Sequence, residues 1–288
     1  MTFCQVTLLG TKGGPAIRPG SPMPTATLIQ MDGKTILVDA GLGAARAVCD
    51  AGVALVDIDA IVITHLHSDH YLELGPLLHT AWTAGLTAPI PVFGPSGLQD
   101  YWRNFLQSMA FDIDLRQRDE GRPPLAKLVQ IKPLSETVQL GSITMRTMQN
   151  VHPPVDETYA LRFEGSRAVT LSGDTAPMPE MVNFAQGSDL LIHEAMLTAG
   201  IDMICERVGN GDDRLRIHLE RSHAPAHDVG QIATDAAVGH LALNHLVPCD
   251  LPEFTENDWE REVRRTWAGP LDIGRDGLTI PLDERREQ

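Results

Sequence analysis

The sequence lacks any apolar run approaching the roughly eighteen residues a membrane-spanning helix needs. Its first ten residues, Met1 to Gly10, carry no basic segment ahead of an apolar one. They read as a first β-strand rather than a secretory signal, and a cytosolic location is the expectation. Cysteine is scarce. Cys4, Cys49, Cys205 and Cys249 lie far apart and form no C-x-x-C pair, so they are expected to be reduced and inert. Cys249 is set apart only because it follows His245 by four residues. Aromatic residues make up 5% of the chain, whereas 25 glycines and 20 prolines suit many turns between short elements. Internal repeats, low-complexity linkers and composition breaks are absent, so residues 1–288 read as one domain. An excess of positive charge is absent too. The formal net charge is −15, and the basic clusters Arg261-Glu262-Val263-Arg264-Arg265 and Arg285-Arg286 read as solvated faces. That balance argues against a polyanion such as nucleic acid as substrate.

What is present begins with His65-Leu66-His67-Ser68-Asp69-His70, directly after the apolar run Ala60-Ile61-Val62-Ile63. Three imidazoles and a carboxylate so close together would be costly to bury unpaired, and they suit a divalent transition metal. If the segment is extended, His65, His67 and Asp69 point one way and His70 the other, which feeds two adjacent ions more naturally than one. Three later residues stand at the ends of apolar strands: His152 after Met148–Val151, Asp174 after Val169–Gly173, and His245 after Leu241–Asn244. Strand ends deliver side chains to a cleft with little positional slack.

Apolar, β-type runs broken by Gly- and Pro-rich turns predict strands at 5–9, 26–31, 35–39, 60–63, 91–94, 128–132, 136–140, 144–148, 159–164, 168–172, 190–193 and 241–245. Helices are predicted at 42–51, 71–83, 179–186 and 226–238, with an irregular stretch from 194 to 222. Within 95–127 the spacing of Leu98, Trp102, Phe105, Leu106 and Met109 predicts a helical insertion with the character of a lid. Trp102, Phe105, Met109 and Phe111, with Met196, Leu197 and Met203, are candidates for an apolar pocket wall. His79, His193, His218, His227 and His240 share no ligand spacing with the cluster and are assigned no role.

Taken together, Val38-Asp39-Ala40-Gly41, the cluster at 65–70, His152, Ser172-Gly173-Asp174-Thr175, His193-Glu194-Ala195, Ser222-His223 and His245 resemble the metallo-β-lactamase superfamily, in particular its ribonuclease Z/arylsulfatase-like branch. The resemblance runs from residue 38 to residue 245. It implies an α/β fold, the four-layer αβ/βα sandwich. It also implies a metal-dependent hydrolase with two divalent ions, Zn²⁺ by ligand type, with Mn²⁺ or Fe²⁺ also compatible. His65, His67 and His152 would hold one ion, Asp69, His70 and His245 the other, and Asp174 would bridge them, with Asp39 behind a ligand imidazole. A metal-bridging hydroxide would attack the substrate. His223 would move a proton or stabilise an oxyanion, and Glu194 would be its partner.

The main expectation is cleavage of a carboxylic ester, lactone or phosphodiester in a small organic molecule. The alternatives are sulfate ester hydrolysis of the arylsulfatase type and ribonuclease Z-like phosphodiester cleavage. A mononuclear iron dioxygenase and a non-catalytic scaffold are the readings from other classes. The glycine- and lysine-rich arm with which tRNA-processing members grip tRNA has no counterpart here, and members of the branch are often homodimers.

Overall fold

The computed structural model describes residues 4–282; Arg285 and Arg286 lie outside them. Fourteen strands are assigned among the described residues: β1 (Gln5–Gly10), β2 (Ala26–Met31), β3 (Lys34–Val38), β4 (Ala60–Val62), β5 (Ile90–Gly94), β6 (Val129–Pro133), β7 (Thr137–Leu140), β8 (Ile143–Gln149), β9 (Tyr159–Glu164), β10 (Ala168–Leu171), β11 (Leu190–Met196), β12 (Leu241–Val247), β13 (Leu271–Ile273) and β14 (Leu278–Pro281). The α-helices are α1 (Ala44–Asp50), α2 (Ser68–Tyr71), α3 (Leu74–Thr83), α4 (Leu98–Ser108), α5 (Ala110–Asp119), α6 (Leu125–Leu128), α7 (Pro179–Ala185), α8 (Ile201–Val208), α9 (Arg214–Ser222), α10 (Ala226–Asp235) and α11 (Glu256–Val263).

The strands form two seven-stranded sheets, ordered β14-β1-β2-β3-β4-β5-β6 and β13-β12-β11-β10-β9-β8-β7. Each sheet is half antiparallel and half parallel. In the first, pairing changes from antiparallel at β2–β3 to parallel at β3–β4. In the second, β9–β10 is antiparallel and β10–β11 parallel. The alternation of β1 to β3 explains how both faces are used. Val6, Leu8, Ile29, Ile36 and Val38 pack against Met145, Leu161, Phe163, Val169 and Ile192 of the other sheet. Leu28 and Leu37 face away, onto Leu74, Leu77, Leu78 and Trp82 of α3. On the outer face of the second sheet, Leu191, Leu241 and Leu243 pack against Val229 and Ala233 of α10 and Trp259 and Val263 of α11. Helices, sheet, sheet and helices thus make four layers, the expected αβ/βα sandwich.

Two expectations need correction. First, the segment after β4 does not stay extended: the chain is irregular at His65 and His67, and α2 begins at Ser68. Asp69 and His70 diverge because they are successive residues of a helical turn, not because a strand alternates. Second, the stretch from 194 to 222 is not irregular throughout. It contains the end of β11, then α8, with Ile201 and Ile204 buried, and α9, with Leu219 and Ser222 buried. Gly209 and Gly211 separate these short helices and break the periodicity that would have announced them. The helical pattern expected within 95–127 is present as α4, α5 and α6. Trp102 turns inward: it is buried, stacks on Phe105 with centroids 5.6 Å apart, and joins the core beneath α3, whereas Phe111 is exposed.

Phe163 is fully buried between the sheets, so Phe163→Ala leaves a void that neighbours on two rigid sheets cannot close. A loss of about 3–5 kcal/mol is expected, measured as a lower urea midpoint at constant slope. An unchanged midpoint would show that the inter-sheet core is not the main source of stability.

Candidate metal centre

The site lies where the parallel strands of both sheets end. Asp39 follows β3, His65 to His70 follow β4, His152 follows β8 and Asp174 follows β10, while Glu194 and His245 sit inside β11 and β12. Three backbone devices aim these side chains. Asp39 adopts a left-handed conformation, φ 60°, which turns its carboxylate back under the end of β4. Gly173, φ 58°, provides the turn that carries Asp174 inward; a Cβ there would come within 2.5 Å of the Tyr159 carbonyl oxygen. His245 is an extra residue in β12. The register passes from Glu194↔Asn244 to Ala195↔Leu246, leaving His245 unpaired with φ 43° and its ring facing Asp69 and Asp174.

These devices assemble two groups of ligand-type side chains: His65, His67, His152 and Asp174, and beside them Asp69, His70 and His245. His67 Nδ1 lies 3.1 Å from both His65 Nε2 and His152 Nε2. Asp174 Oδ2 lies between the groups, 3.1 Å from His245 Nε2, 3.4 Å from His70 Nε2, 3.7 Å from His65 Nε2 and 3.8 Å from His152 Nε2. Asp69 Oδ2 is 3.4 Å from His245 Nε2 and 3.7 Å from His70 Nε2, and accepts the Gly14 N–H at 2.8 Å. All seven residues are buried except His67, which is partly so.

Outer partners set which ring nitrogens face inward. His70 Nδ1 donates to Asp39 Oδ2 at 2.7 Å, and His152 Nδ1 donates to the Ser222 carbonyl at 2.9 Å. Carboxylates and carbonyls only accept, so these nitrogens carry protons and the Nε2 lone pairs point into the site. Asp39 also accepts the Thr64 N–H at 2.8 Å and the Thr64 hydroxyl at 2.9 Å.

The donor set fits divalent ions. Nitrogens around a tetrahedral ion with bonds of about 2.0–2.1 Å stand about 3.3 Å apart, close to the spacing of His65, His67 and His152. One proton on His67 Nδ1 cannot satisfy two facing lone pairs, so hydrogen bonding alone does not account for the triad. His70 Nε2 and Asp174 Oδ1 are buried without a hydrogen-bond partner. Burial lowers the pKa of His65 and His67, and that of His152 to about 4, which keeps them neutral. Burial opposes ionisation of Asp174, but His245 and His70 hold its pKa well below the usual carboxylate range. Neutral imidazoles and ionised carboxylates are the ligand forms. Among the described residues, Asp39, Asp69 and Asp174 form ion pairs with histidine alone. Three buried carboxylates therefore call for further positive charge, and His70, although burial opposes it, is raised well above its ordinary value by Asp174, Asp39 and Asp69.

His223 borders the site at the C-terminus of α9. Its Nδ1 is 2.9 Å from Glu194 Oε2 and 3.1 Å from Oε1. Glu194 is fixed in turn by the Thr175 N–H at 2.6 Å. Burial of His223 works against its protonation, but the Glu194 carboxylate prevails and raises its pKa to about 9. With Nδ1 committed to Glu194, Nε2 is the nitrogen left for the cavity that His223 lines.

That cavity, about 350 Å³, opens on His67, Asp69, Asp174, His223 and His245. Its apolar wall comes from Ile204 and Val208 of α8, Leu215 and Leu219 of α9, and Val247. None of the wall candidates drawn from the sequence lines it. Trp102, Met196 and Leu197 are buried in the core, and Phe111 is 84% exposed elsewhere. His218, set aside on spacing, does line the cavity, with its ring 6.2 Å from that of His67. His193 does not line the cavity, its Nδ1 lying 2.7 Å from the Glu194 carbonyl oxygen. His79, His227 and His240 pair with Asp112, Asp228 and Asp272 away from the cavity. Cys249 lines the cavity, its Sγ 3.7 Å from Lys12 Nζ, without joining either histidine group.

Comparison with known proteins bears directly on this arrangement. Residues 4–204 match the family model "Anti-Pycsar protein Apyc1". The chain is also 31% identical to the ribonuclease Z of Mycolicibacterium gilvum over 94% of both sequences. The chain belongs to the Apyc1 family and to the ribonuclease Z branch of the metallo-β-lactamase superfamily. Solved structures agree on the fold of this metal-dependent hydrolase. The metallo-β-lactamase fold protein YhfI of Bacillus subtilis superimposes with a TM-score of 0.71 at 21% identity, over 96% of this chain and 99% of that one. The short form of human tRNase Z does so with a TM-score of 0.68 at 19% identity, over 97% and 100%. Among the described residues of this ribonuclease Z-branch hydrolase, no helix is long and apolar enough to cross a membrane.

Asp39→Ala would leave the Thr64 N–H, the Thr64 hydroxyl and His70 Nδ1–H without their acceptor in a dry interior. A loss of about 3 kcal/mol or more is expected in urea denaturation run with chelator present. A midpoint equal to that of the parent would mean that water or other groups replace the carboxylate.

Proposed function

We propose that this protein is a dinuclear metal-dependent phosphodiesterase. His65, His67 and His152 would hold one divalent ion, Asp69, His70 and His245 the second, and Asp174 would bridge them. The observation that carries the reading is the position of Asp174 Oδ2, 3.1–3.8 Å from the Nε2 atoms of four histidines drawn from both groups. The nitrogen-and-oxygen donor set favours Zn²⁺ and is compatible with Mn²⁺ or Fe²⁺. Such a pair supplies Lewis acidity, depressing the pKa of a water molecule toward about 7 and polarising a phosphoryl oxygen. The chain's own residues do the rest. Glu194 holds His223 by Nδ1, so that a protonated ring offers Nε2–H to a phosphoryl oxygen that gains charge or to the departing oxygen. The wall of α8 and α9 limits water around the reacting group. In this reading the described residues act as one hydrolase domain, and α8 and α9, rather than 95–127, cover the cavity.

Phosphodiester cleavage is preferred over carboxylic ester or lactone cleavage because the curated relatives are named ribonuclease Z. Their name also favours a second reading, in which the phosphodiester belongs to RNA. The argument from net charge against nucleic acid does not hold up. Binding responds to the local field, and Lys12, Arg18 and Arg207 line this cavity although the whole chain is acidic.

Four outcomes are expected. Plasma emission analysis of protein purified without added metal should find about two divalent ions per chain; a trace amount defeats the dinuclear assignment. Asp174→Ala should lower bis(4-nitrophenyl) phosphate turnover by about a hundredfold or more, whereas His223→Ala should depress kcat while metal content holds. In a parallel panel the phosphodiester should exceed 4-nitrophenyl acetate and 4-nitrophenyl sulfate in kcat/KM by about a hundredfold. A faster acetate or sulfate ester overturns the reading. Rapid cleavage of a tRNA precursor would select the RNA version.

A further inference from the structure

Beside the histidine groups, the cavity is bounded by the loop carrying Lys12 and Arg18, by Arg207 of α8, and by Cys249 and Asp250. Here three cationic side chains converge on one carboxylate. Asp250 lies 2.7 Å from Arg207 Nη2, 3.0 Å from Arg18 Nη1 and 3.5 Å from Lys12 Nζ. The other carboxylates lining the cavity, Asp69 and Asp174, belong to the histidine groups. In a chain of net charge −15, this corner carries a surplus of positive charge.

Lys12 is the telling member. Its residue is 4% exposed, and among the described residues its ammonium makes long contacts: Asp250 Oδ2 and the Gly13 carbonyl oxygen at 3.5 Å and Cys249 Sγ at 3.7 Å. An ammonium carries three protons, and its ordinary hydrogen bonds run at about 2.7–3.2 Å. These contacts are long, so the ammonium can take a closer anionic acceptor from the cavity it lines. Arg18 and Arg207, with side chains 30% and 29% exposed, also line the cavity.

The backbone fixes how far this corner lies from the reacting group. A Cβ on Gly13 would come within 2.4 Å of Val247 Cγ2 and 3.0 Å of the His245 ring, and Gly14 N–H binds Asp69. Lys12 therefore stands two residues, at most about 7 Å of chain, from a backbone group that touches the site. The same cavity is walled by the apolar side chains Ile204, Val208, Leu215, Leu219 and Val247.

We propose that Lys12, with Arg18 and Arg207, forms a subsite for a second anionic group on the substrate. The substrate class is then a small phosphodiester whose non-leaving half has an apolar body and ends in a carboxylate or phosphate. A cavity of about 350 Å³ suits a molecule of that size. The proposal rests on the phosphodiesterase reading for the reacting end and on the cationic corner for the other.

Two diesters with the same leaving group test it on the full-length holoenzyme: phenyl 4-nitrophenyl phosphate and 4-carboxyphenyl 4-nitrophenyl phosphate. The carboxylated diester should show a KM about tenfold lower or more, with kcat changed much less. Lys12→Met should bring the KM ratio toward one, and Arg207→Gln should reduce it severalfold. The second variant also decides the matter if the first does not fold. Equal KM values for the two diesters in the parent enzyme overturn the subsite. Calorimetric titration with benzoate separates this result from failure of the phosphodiesterase reading. Where neither diester is turned over, benzoate binding weakened about tenfold in Arg207→Gln still supports the subsite. Benzoate affinity unchanged by the substitution, or absent in the parent, overturns it.

Discussion

The buried Asp174 carboxylate sets the terms for the rest of this molecule. One of its oxygens lies among four imidazole nitrogens, and the other has no hydrogen-bond partner. A charge so far from water is tolerable only if the surroundings are organised around it. The two half-parallel sheets provide that organisation, because their strands end on a common line from which side chains of both sheets meet. Asp39 and Asp69 add two further negative charges within contact of the same histidines. The electrostatic balance of the centre is thus written for a cation, and its hydrogen-bonded periphery turns the Nε2 atoms of His70 and His152 inward.

Rigid strands alone would not bring these groups together. The left-handed turn at Asp39, the close turn at Gly173 and the bulged His245 each depart from regular geometry at the point where a side chain must be re-aimed. Such departures cost energy locally and persist because the flanking strands over-determine them. Their concentration at the mouth of the sandwich, rather than in its core, matches the division of labour between scaffold and site.

This division also explains what was legible in the sequence. Much of each sheet is buried on both faces, so the strands stand out as short apolar, β-type runs between turns, and β1 to β3 and β8 to β10 could be read almost to the residue. The ligand-type residues stood out at strand ends, and the order from Asp39 to His245 carried the family resemblance. Three kinds of feature stayed hidden. The bulge at His245 has no signature, since a run such as Leu241–Val247 reads as an unbroken strand. The turn of α2 has too few residues to show a period, so Asp69 and His70 looked like members of an extended segment. The convergence of Lys12, Arg18, Arg207 and Asp250 joins positions almost two hundred and forty residues apart, and no local charge count reveals it. Trp102 and Phe105 misled for a related reason: an apolar helical stripe announces burial without saying what lies beneath it.

The cavity wall has an independence that bears on how such proteins diverge. Ile204 and Leu219 pack with Met196, Ile201 and Val247 in a small cluster of their own, separate from the three that weld the sheets and outer helices together. Exchanges at Ile204, Val208, Leu215 and Leu219 would therefore reshape the chamber with little penalty to the scaffold, provided the Ser222 carbonyl at the end of α9 keeps its hold on His152. Descendants of one ancestral hydrolase can in this way acquire new clientele by redecorating a single detachable panel.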